Sequence, residues 1–386
     1  MYGAGSIGRG FIGPLFAQAG YEIVFIDINL QIIYALNDKL SYKYSIIADV
    51  PYDVKVSRAR GVDGRDELAV VSEIASCDIM ATALGAPVLQ KVAPLLAKGI
   101  CERARQSRGP LNILICENLK NAAHLLRGWI GAAMPEADES MLLSRCGLIE
   151  TAIGRMVPVA APNLEDPLRV AVEEYGFLPV DRDAFIGAPP EIEGLIPYSP
   201  FSFYEERKLY LHNMGHAICA YLGAMHNIET IAGAISDPSI RLLTQCAMIE
   251  SAAMLSKKYS VPFAGIYDHA EDLLLRFGNA ALGDTCERVC RDPMRKLKAG
   301  DRLAGAMAQC REHGIHTVYI ALGYAAALRY VTRDAGLAMH IAMETGLLDD
   351  GQTKIVAQLF DILDLPMDDI ISTIDKMKKG LRGNIV

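Results

Sequence analysis

Met1-Tyr2-Gly3-Ala4-Gly5-Ser6-Ile7-Gly8-Arg9-Gly10-Phe11-Ile12-Gly13 opens the chain, and its reading decides the fold of the first third. Gly3, Gly5 and Gly8 make the G-x-G-x-x-G spacing of a strand-to-helix turn that cradles a dinucleotide. The first glycine permits the tight turn, the second lets backbone approach a pyrophosphate, and the third lets helix pack closely on strand. Ser6 and Ile7 complete the loop, and the helix N-terminus behind it attracts the phosphates. An apolar segment over residues 21–26 then ends in Asp27. That acid lies about twenty residues past the fingerprint, where a carboxylate accepts ribose hydroxyls and repels a 2′-phosphate. The expected cofactor is NAD, not NADP. One piece is short: a strand of about five residues should precede the first glycine, and Met1 and Tyr2 alone stand there. Either the start is placed a few residues late, or the first strand is stunted.

Working outward, residues 74–80 read as a short strand leading into Ala81-Thr82-Ala83-Leu84-Gly85-Ala86-Pro87. This is the next strand-to-helix turn along the cofactor, with Thr82 and Gly85 as its contact residues. Residues 111–116, bounded by Gly109-Pro110, form a further strand that runs into Glu117-Asn118, with a helix expected over 120–134. Asn118 sits just past the carboxyl end of a strand, where open α/β sheets place ligands; the cap of the following helix is the other reading. Alternating strand and helix patterns imply a doubly wound sheet. Eight prolines between residues 158 and 200 break any long helix there and leave an extended piece over 170–175. From residue 203 the pattern is helical, with apolar spacings of three and four over 240–255 and 318–331. The expected architecture is an α/β chain: a Rossmann-like doubly wound domain over 1–195 and a mostly α-helical domain over 196–386.

Two stretches of the second half carry chemistry. The first is Glu205-Glu206-Arg207-Lys208-Leu209-Tyr210-Leu211-His212-Asn213-Met214-Gly215-His216-Ala217. On an α-helix, Asn213 lies roughly 140° and His216 roughly 80° round from Lys208, and Lys208 to His216 spans about 12 Å along the axis. Three polar groups on one side can converge on one small molecule. The plainer reading is a solvated charged turn followed by a packing histidine. The second stretch runs from Arg288 through Arg291, Arg295 and Lys296 to Arg302, beside Asp292 and Asp301. It reads either as a structural ion-pair cluster or as forked recognition of a phosphate monoester.

These islands occur in the order in which the polyol-specific long-chain dehydrogenases carry them, and the chain resembles that family from the glycine turn to about residue 330. The resemblance implies an NAD-dependent, zinc-independent oxidoreductase acting on a phosphorylated sugar alcohol. It makes Lys208 the general acid/base. Asn118 and Asn213 polarise the substrate oxygen, His216 fixes another hydroxyl, and Arg288 and Lys296 touch the substrate. A free lysine has a pKa near 10.4, so such a base needs depressing by roughly two to three units. An unphosphorylated polyol or a hexuronate is the alternative substrate. An NAD-binding protein without turnover is the alternative from another class. Relatives often place an Asp before the arginine that matches Arg155; here Gly154 stands there, with Glu150 the nearest acid.

Composition fits a globular enzyme of 386 residues, 51% hydrophobic and 22% charged. A net charge of −8 argues against nucleic-acid binding. No apolar run is long enough to span a membrane, and no secretory signal is visible. Nine cysteines without a Cys-x-x-Cys pair read as free thiols in a reducing cytoplasm. The layout is compatible with a monomer or a weak homo-oligomer.

Overall fold

The computed structural model describes residues 1–48, 50–134, 140, 144–158 and 166–383. The chain divides into two compact units, Met1–Tyr204 and Glu205–Val386.

The strands of the first unit, in chain order, are β1 (Ile23–Asp27), β2 (Ser41–Ile47), β3 (Tyr52–Ser57), β4 (Ala59–Asp63) and β5 (Met80–Thr82), then β6 (Leu111–Ile115), β7 (Cys146–Glu150), β8 (Val170–Glu173), β9 (Leu178–Asp181) and β10 (Leu195–Tyr198). β1 pairs with β4, and β6 lies between β5 and β7, all parallel. The two halves are joined through Tyr2, which bridges Ile26 on one side and Thr82 on the other. The first strand is therefore present but reduced to a rung. Its bonds run Ile26 N to Met1 O (2.9 Å), Gly3 N to Ile26 O, Tyr2 N to Ala81 O and Ala83 N to Tyr2 O (each 2.8 Å). Beside Met1, a cleft of about 650 Å³ opens between residues 21–24 and residues 78–81.

Side-chain alternation shows why the sheet is covered on both faces. Phe25, Ala81, Leu114 and Ile149 pack into one core with Phe11, Ile12 and Leu15 of the helical stretch after the glycine turn. Their neighbours Ile26, Met80, Ile113 and Leu148 pack into the other, with Val70 and Ile74 and with Leu89 and Leu96. Residues 74–76, expected at the start of a strand, instead end the helix Glu67–Ser76, because Val70 and Ile74 at spacing four bury one helix face. The helix expected over 120–134 forms as Ala122–Ala132.

A second sheet, β3-β2-β8, has β2 antiparallel to β3 and parallel to β8. Tyr42, Tyr44 and Ile46 alternate inward from β2, and the Tyr42 hydroxyl donates to Arg9 O at 2.8 Å, pinning the fingerprint helix. Among the described residues, the second unit is built of helices, with one isolated bridge between Thr230 and Thr285. Met214–Met225 packs against Pro238–Tyr259, Tyr319–Val331 and Cys286–Cys290. Backbone approach is close: a Cβ on Gly323 would lie 2.3 Å from Ile218 Cγ1. The N-terminus of Tyr319–Val331 is closed by Glu250, which accepts from the amides of Val318 (2.9 Å), Tyr319 (3.1 Å) and Ile320 (3.0 Å).

Candidate functional site

The glycine turn has the geometry a dinucleotide needs. Gly3 sits at φ +107°, and a Cβ there would meet Ala83 O at 2.4 Å; at Gly8 it would meet Gly3 O at 2.2 Å. Both positions exclude a side chain. At Gly5 the same atom meets nothing within 4 Å, and the residue is exposed. Open space over a bare backbone, beside a helix N-terminus, is what a pyrophosphate occupies. Ser6 lines a cavity of about 380 Å³ together with Arg9, Asn29 and Gln31. Asp27 ends β1 half-buried; its Oδ2 accepts from Ala4 N at 2.7 Å and its Oδ1 from Asn29 N at 2.9 Å. The carboxylate is thus tied to the glycine loop it serves, with lone pairs remaining for ribose hydroxyls. Gly85, at φ +84° and exposed, opens the long helix Ala86–Arg105. These residues fit a dinucleotide.

Thr82 departs from its expected role. It is fully buried, and its hydroxyl donates to Glu117 Oε2 at 2.8 Å. Glu117 Oε1 accepts from Leu84 N at 3.0 Å. Thr82 therefore braces the turn from within and does not present its side chain to a cofactor. Burial pushes the Glu117 carboxyl above the usual range, against hydrogen bonds, those from Leu84 and Thr82 foremost, that pull it down. Next to it Asn118 is exposed, past the end of β6. The cap position of Ala122–Ala132 is Asn121, three residues past Asn118, and the Ala123 amide donates to Glu150 at 2.9 Å. The Gly154 departure also has a local reason. A Cβ at 154 would lie 3.0 Å from the Tyr175 ring, and Arg155 donates to the carbonyls of Tyr175, Gly10 and Glu174.

In the second unit, the Lys208 segment is not a plain α-helix. Lys208–Asn213 is a π-helix set between Ser202–Arg207 and Met214–Met225. A π turn inside a helix absorbs one extra residue. Counted that way, Asn213 comes to about 40° from Lys208 and His216 to about 20° on the other side, over an axial span nearer 10 Å. The expected 140° and 80° are thereby corrected to one narrow face. Burial singles out the same residues. From position 210 to 223 every residue is buried except Asn213 and His216, and Lys208 just before them is also partly exposed.

Around this face sit three histidines. His212 is buried, and desolvation together with Arg276, His216, His269 and Lys208 holds its pKa well below the imidazole range, so it is neutral. Burial and the cations of Arg207 and Arg276 pull His269 down to about 3. His216 stacks on Phe277, with ring centroids 4.9 Å apart and planes at 20°, and its Nε2 lies 3.0 Å from Asp284 Oδ2. Asp284 Oδ1 is 2.7 Å from Arg288 Nε. The sequence reading missed Asp284, which has no motif around it and meets His216 across 68 positions.

The basic stretch separates into roles. Arg288, Arg291 and Arg295 are exposed. Asp301 pairs with Arg302 at 2.9 Å and with Arg295 at 3.5 Å. Lys296, expected at the substrate, is buried, and its ammonium donates to the carbonyls of Val289 and Arg291. Burial, with Arg302 and Arg295 nearby, brings its pKa down to about 8. In this arrangement Lys296 fastens the Val289–Arg291 turn that carries the exposed arginines. All nine cysteines are free, and no helix among the described residues is long and apolar enough to cross a membrane.

A dinucleotide turn in one unit and a Lys-Asn-His face on the helices of the next define a two-domain dehydrogenase. The Rossmann domain of mannitol dehydrogenase matches residues 1–194, and the mannitol dehydrogenase C-terminal domain matches residues 201–361. The chain belongs to the mannitol dehydrogenase family. Among solved structures it is similar to a substrate-free D-sorbitol dehydrogenase, at 15% identity and a TM-score of 0.75 over 94% of this chain and 92% of that one. It is also similar to the Pseudomonas fluorescens mannitol 2-dehydrogenase ternary complex with NAD and D-mannitol, at 15% identity and a TM-score of 0.69 over 98% and 93%. At that identity the likeness is one of fold.

Proposed function

We propose that this chain interconverts D-mannitol 1-phosphate and D-fructose 6-phosphate, with NAD as cofactor and Lys208 as general acid/base. One observation carries the assignment of the base: the wide turn at Lys208–Asn213 puts Lys208, Asn213 and His216 on one partly exposed face of an otherwise buried helix. Hydride acceptance is the chemistry that NAD supplies when bound. The chain's residues do the rest. Lys208 takes the carbinol proton at Nζ during oxidation and returns it during reduction. Asn118 and Asn213 donate hydrogen bonds to the developing alkoxide, the help an oxyanion hole gives. His216 accepts from a neighbouring hydroxyl. The exposed guanidiniums of Arg288, Arg291 and Arg295 suit a phosphate monoester by forked hydrogen bonding.

A second reading has its own observation. Arg288 and Arg295 already have carboxylate partners in Asp284 and Asp301, which favours a structural cluster and an unphosphorylated polyol or hexuronate. NADH oxidation with fructose 6-phosphate, fructose, fructuronate and tagaturonate, with and without chelator, separates the two. Selective turnover of fructose 6-phosphate is expected, and it should survive the chelator. Turnover of an unphosphorylated ketose instead would keep the reaction class and overturn the substrate. In the same assay Lys208→Ala should lose activity by orders of magnitude while NADH still binds; near-normal turnover would refute Lys208 as the base.

A further inference from the structure

Asp284 holds two of the proposed substrate residues at once. Its Oδ2 is 3.0 Å from His216 Nε2 and its Oδ1 is 2.7 Å from Arg288 Nε. We propose that Asp284 is a positioning residue: it fixes His216 as the Nε2–H tautomer, leaving Nδ1 to accept from a substrate hydroxyl, and it anchors Arg288 by Nε, leaving the two terminal nitrogens for an oxyanion. The inference deepens the reading above and rests on it for the substrate.

The surroundings of Asp284 make it a rigid splint. Its carbonyl accepts from Ile231 N at 2.9 Å, the next residue Thr285 bridges Thr230, and Cys286 N donates to Glu229 O at 2.8 Å. The Thr285 hydroxyl in turn accepts from Arg288 N at 3.2 Å, capping the helix Cys286–Cys290. Backbone pairing on both sides therefore leaves the carboxylate little freedom. The Asp284 side chain is 11% exposed and that of His216 17%, whereas Arg288 is 44% exposed. Burial pushes the Asp284 carboxyl up, and the hydrogen bonds from His216 and Arg288 outweigh it, holding the pKa at about 2. The group is a carboxylate at any working pH, so it can only accept. A ring whose Nε2–H is committed to that carboxylate is left, when neutral, with an acceptor at Nδ1. Phe277 lies flat against the imidazole and fixes its plane. On Arg288 only Nε meets a side-chain partner among the described residues. The outer edge, with its two parallel N–H vectors, suits a phosphate or carboxylate group. One carboxylate thus sets an acceptor and a pair of charge-assisted donors side by side. Their complement is a hydroxyl next to an oxyanion.

Two readouts on the full chain test this. The first needs no substrate: long-range ¹H–¹⁵N correlation on histidine-labelled protein, with His216 assigned by the peak lost in His216→Gln. The Nε2–H tautomer is expected in the wild type, and its preference should collapse in Asp284→Asn. The second is kinetic. Asp284→Asn should raise KM for the ketose tenfold or more, change kcat less than threefold, and leave NADH affinity as in the wild type. In a His216→Ala background the same substitution should raise KM distinctly less. A wild-type Nδ1–H tautomer overturns the proposal even where Asp284→Asn does not fold. An unchanged KM in a folded Asp284→Asn variant overturns it too. Absence of turnover by the wild type with every ketose would sink the proposed reaction, while the tautomer measurement would still decide the role of Asp284.

Discussion

Replacing Gly5 and Gly8 in turn by alanine separates cofactor space from packing space within one turn. At Gly8 the new methyl would stand 2.2 Å from the backbone oxygen of Gly3, an atom fixed in the turn. Helix propensity returns at most about 1 kcal/mol for glycine to alanine. Overpacking of this kind costs about 1–3 kcal/mol or more, and here the neighbour is backbone, so the upper end applies. A net loss of about 2 kcal/mol is expected, seen as a lower thermal midpoint. At Gly5 the methyl meets nothing within 4 Å, and stability should be unchanged or slightly higher. Its effect falls on the bound state, because the methyl occupies the approach to the loop amides. Losing one hydrogen bond to a charged phosphate costs roughly 1.5–3 kcal/mol, or about ten- to a hundredfold in NADH affinity. The assay is NADH fluorescence titration beside a thermal melt for each variant. Wild-type NADH affinity in Gly5→Ala, or an undisturbed melt in Gly8→Ala, would refute the assignment of the two glycines.

Asp27→Ser should lower the preference for NADH over NADPH at least tenfold, since it removes the charge that repels a 2′-phosphate; parallel titrations with both cofactors check it. Glu250 gives a pH test. Burial raises its pKa from 4.5 to about 7, against three amides that pull it down. The folded state then holds a proton that the unfolded state releases between pH 4.5 and 7. The contribution of Glu250 is full below about pH 4.5 and is lost as pH rises through 7, a change of about 3 kcal/mol. Denaturation curves of the wild type and Glu250→Gln should diverge over that window, and curves that stay parallel would count against it. Lys296→Met should lower stability by about 1–3 kcal/mol by leaving two carbonyls without their donor; an unchanged melt with a raised KM would return Lys296 to the substrate.

How much of this was legible in the sequence depends on how local each determinant is. The glycine turn and Asp27 could be read because each position is fixed by a short-range steric demand. Lys208, Asn213 and His216 could be picked out by spacing, yet their azimuths came out wrong, because a π turn leaves no mark in residue type. The β2 hairpin was overlooked although Tyr42, Tyr44 and Ile46 alternate inward; the period of two was there to be counted. Thr82 and Lys296 have the right chemistry for a ligand, and only the fold reveals that Glu117 and two carbonyls take up their donors. Asp284 is the reverse case. Only Arg288, four residues on, marks it locally, and its meaning comes from joining that arginine to His216, 68 positions earlier.

The wide turn at Lys208–Asn213 has a consequence beyond bringing three side chains together. Moving the amides of this turn together from the carbonyls five residues back to those four back, with no atom added or removed, would heal the helix to α and swing Lys208 by about 100° around the axis relative to Asn213 and His216. The direction in which the lysine points is thus stored in a choice of hydrogen-bond partner. A motif of five and three residues works here as a helix face of four and three, and the backbone keeps the count.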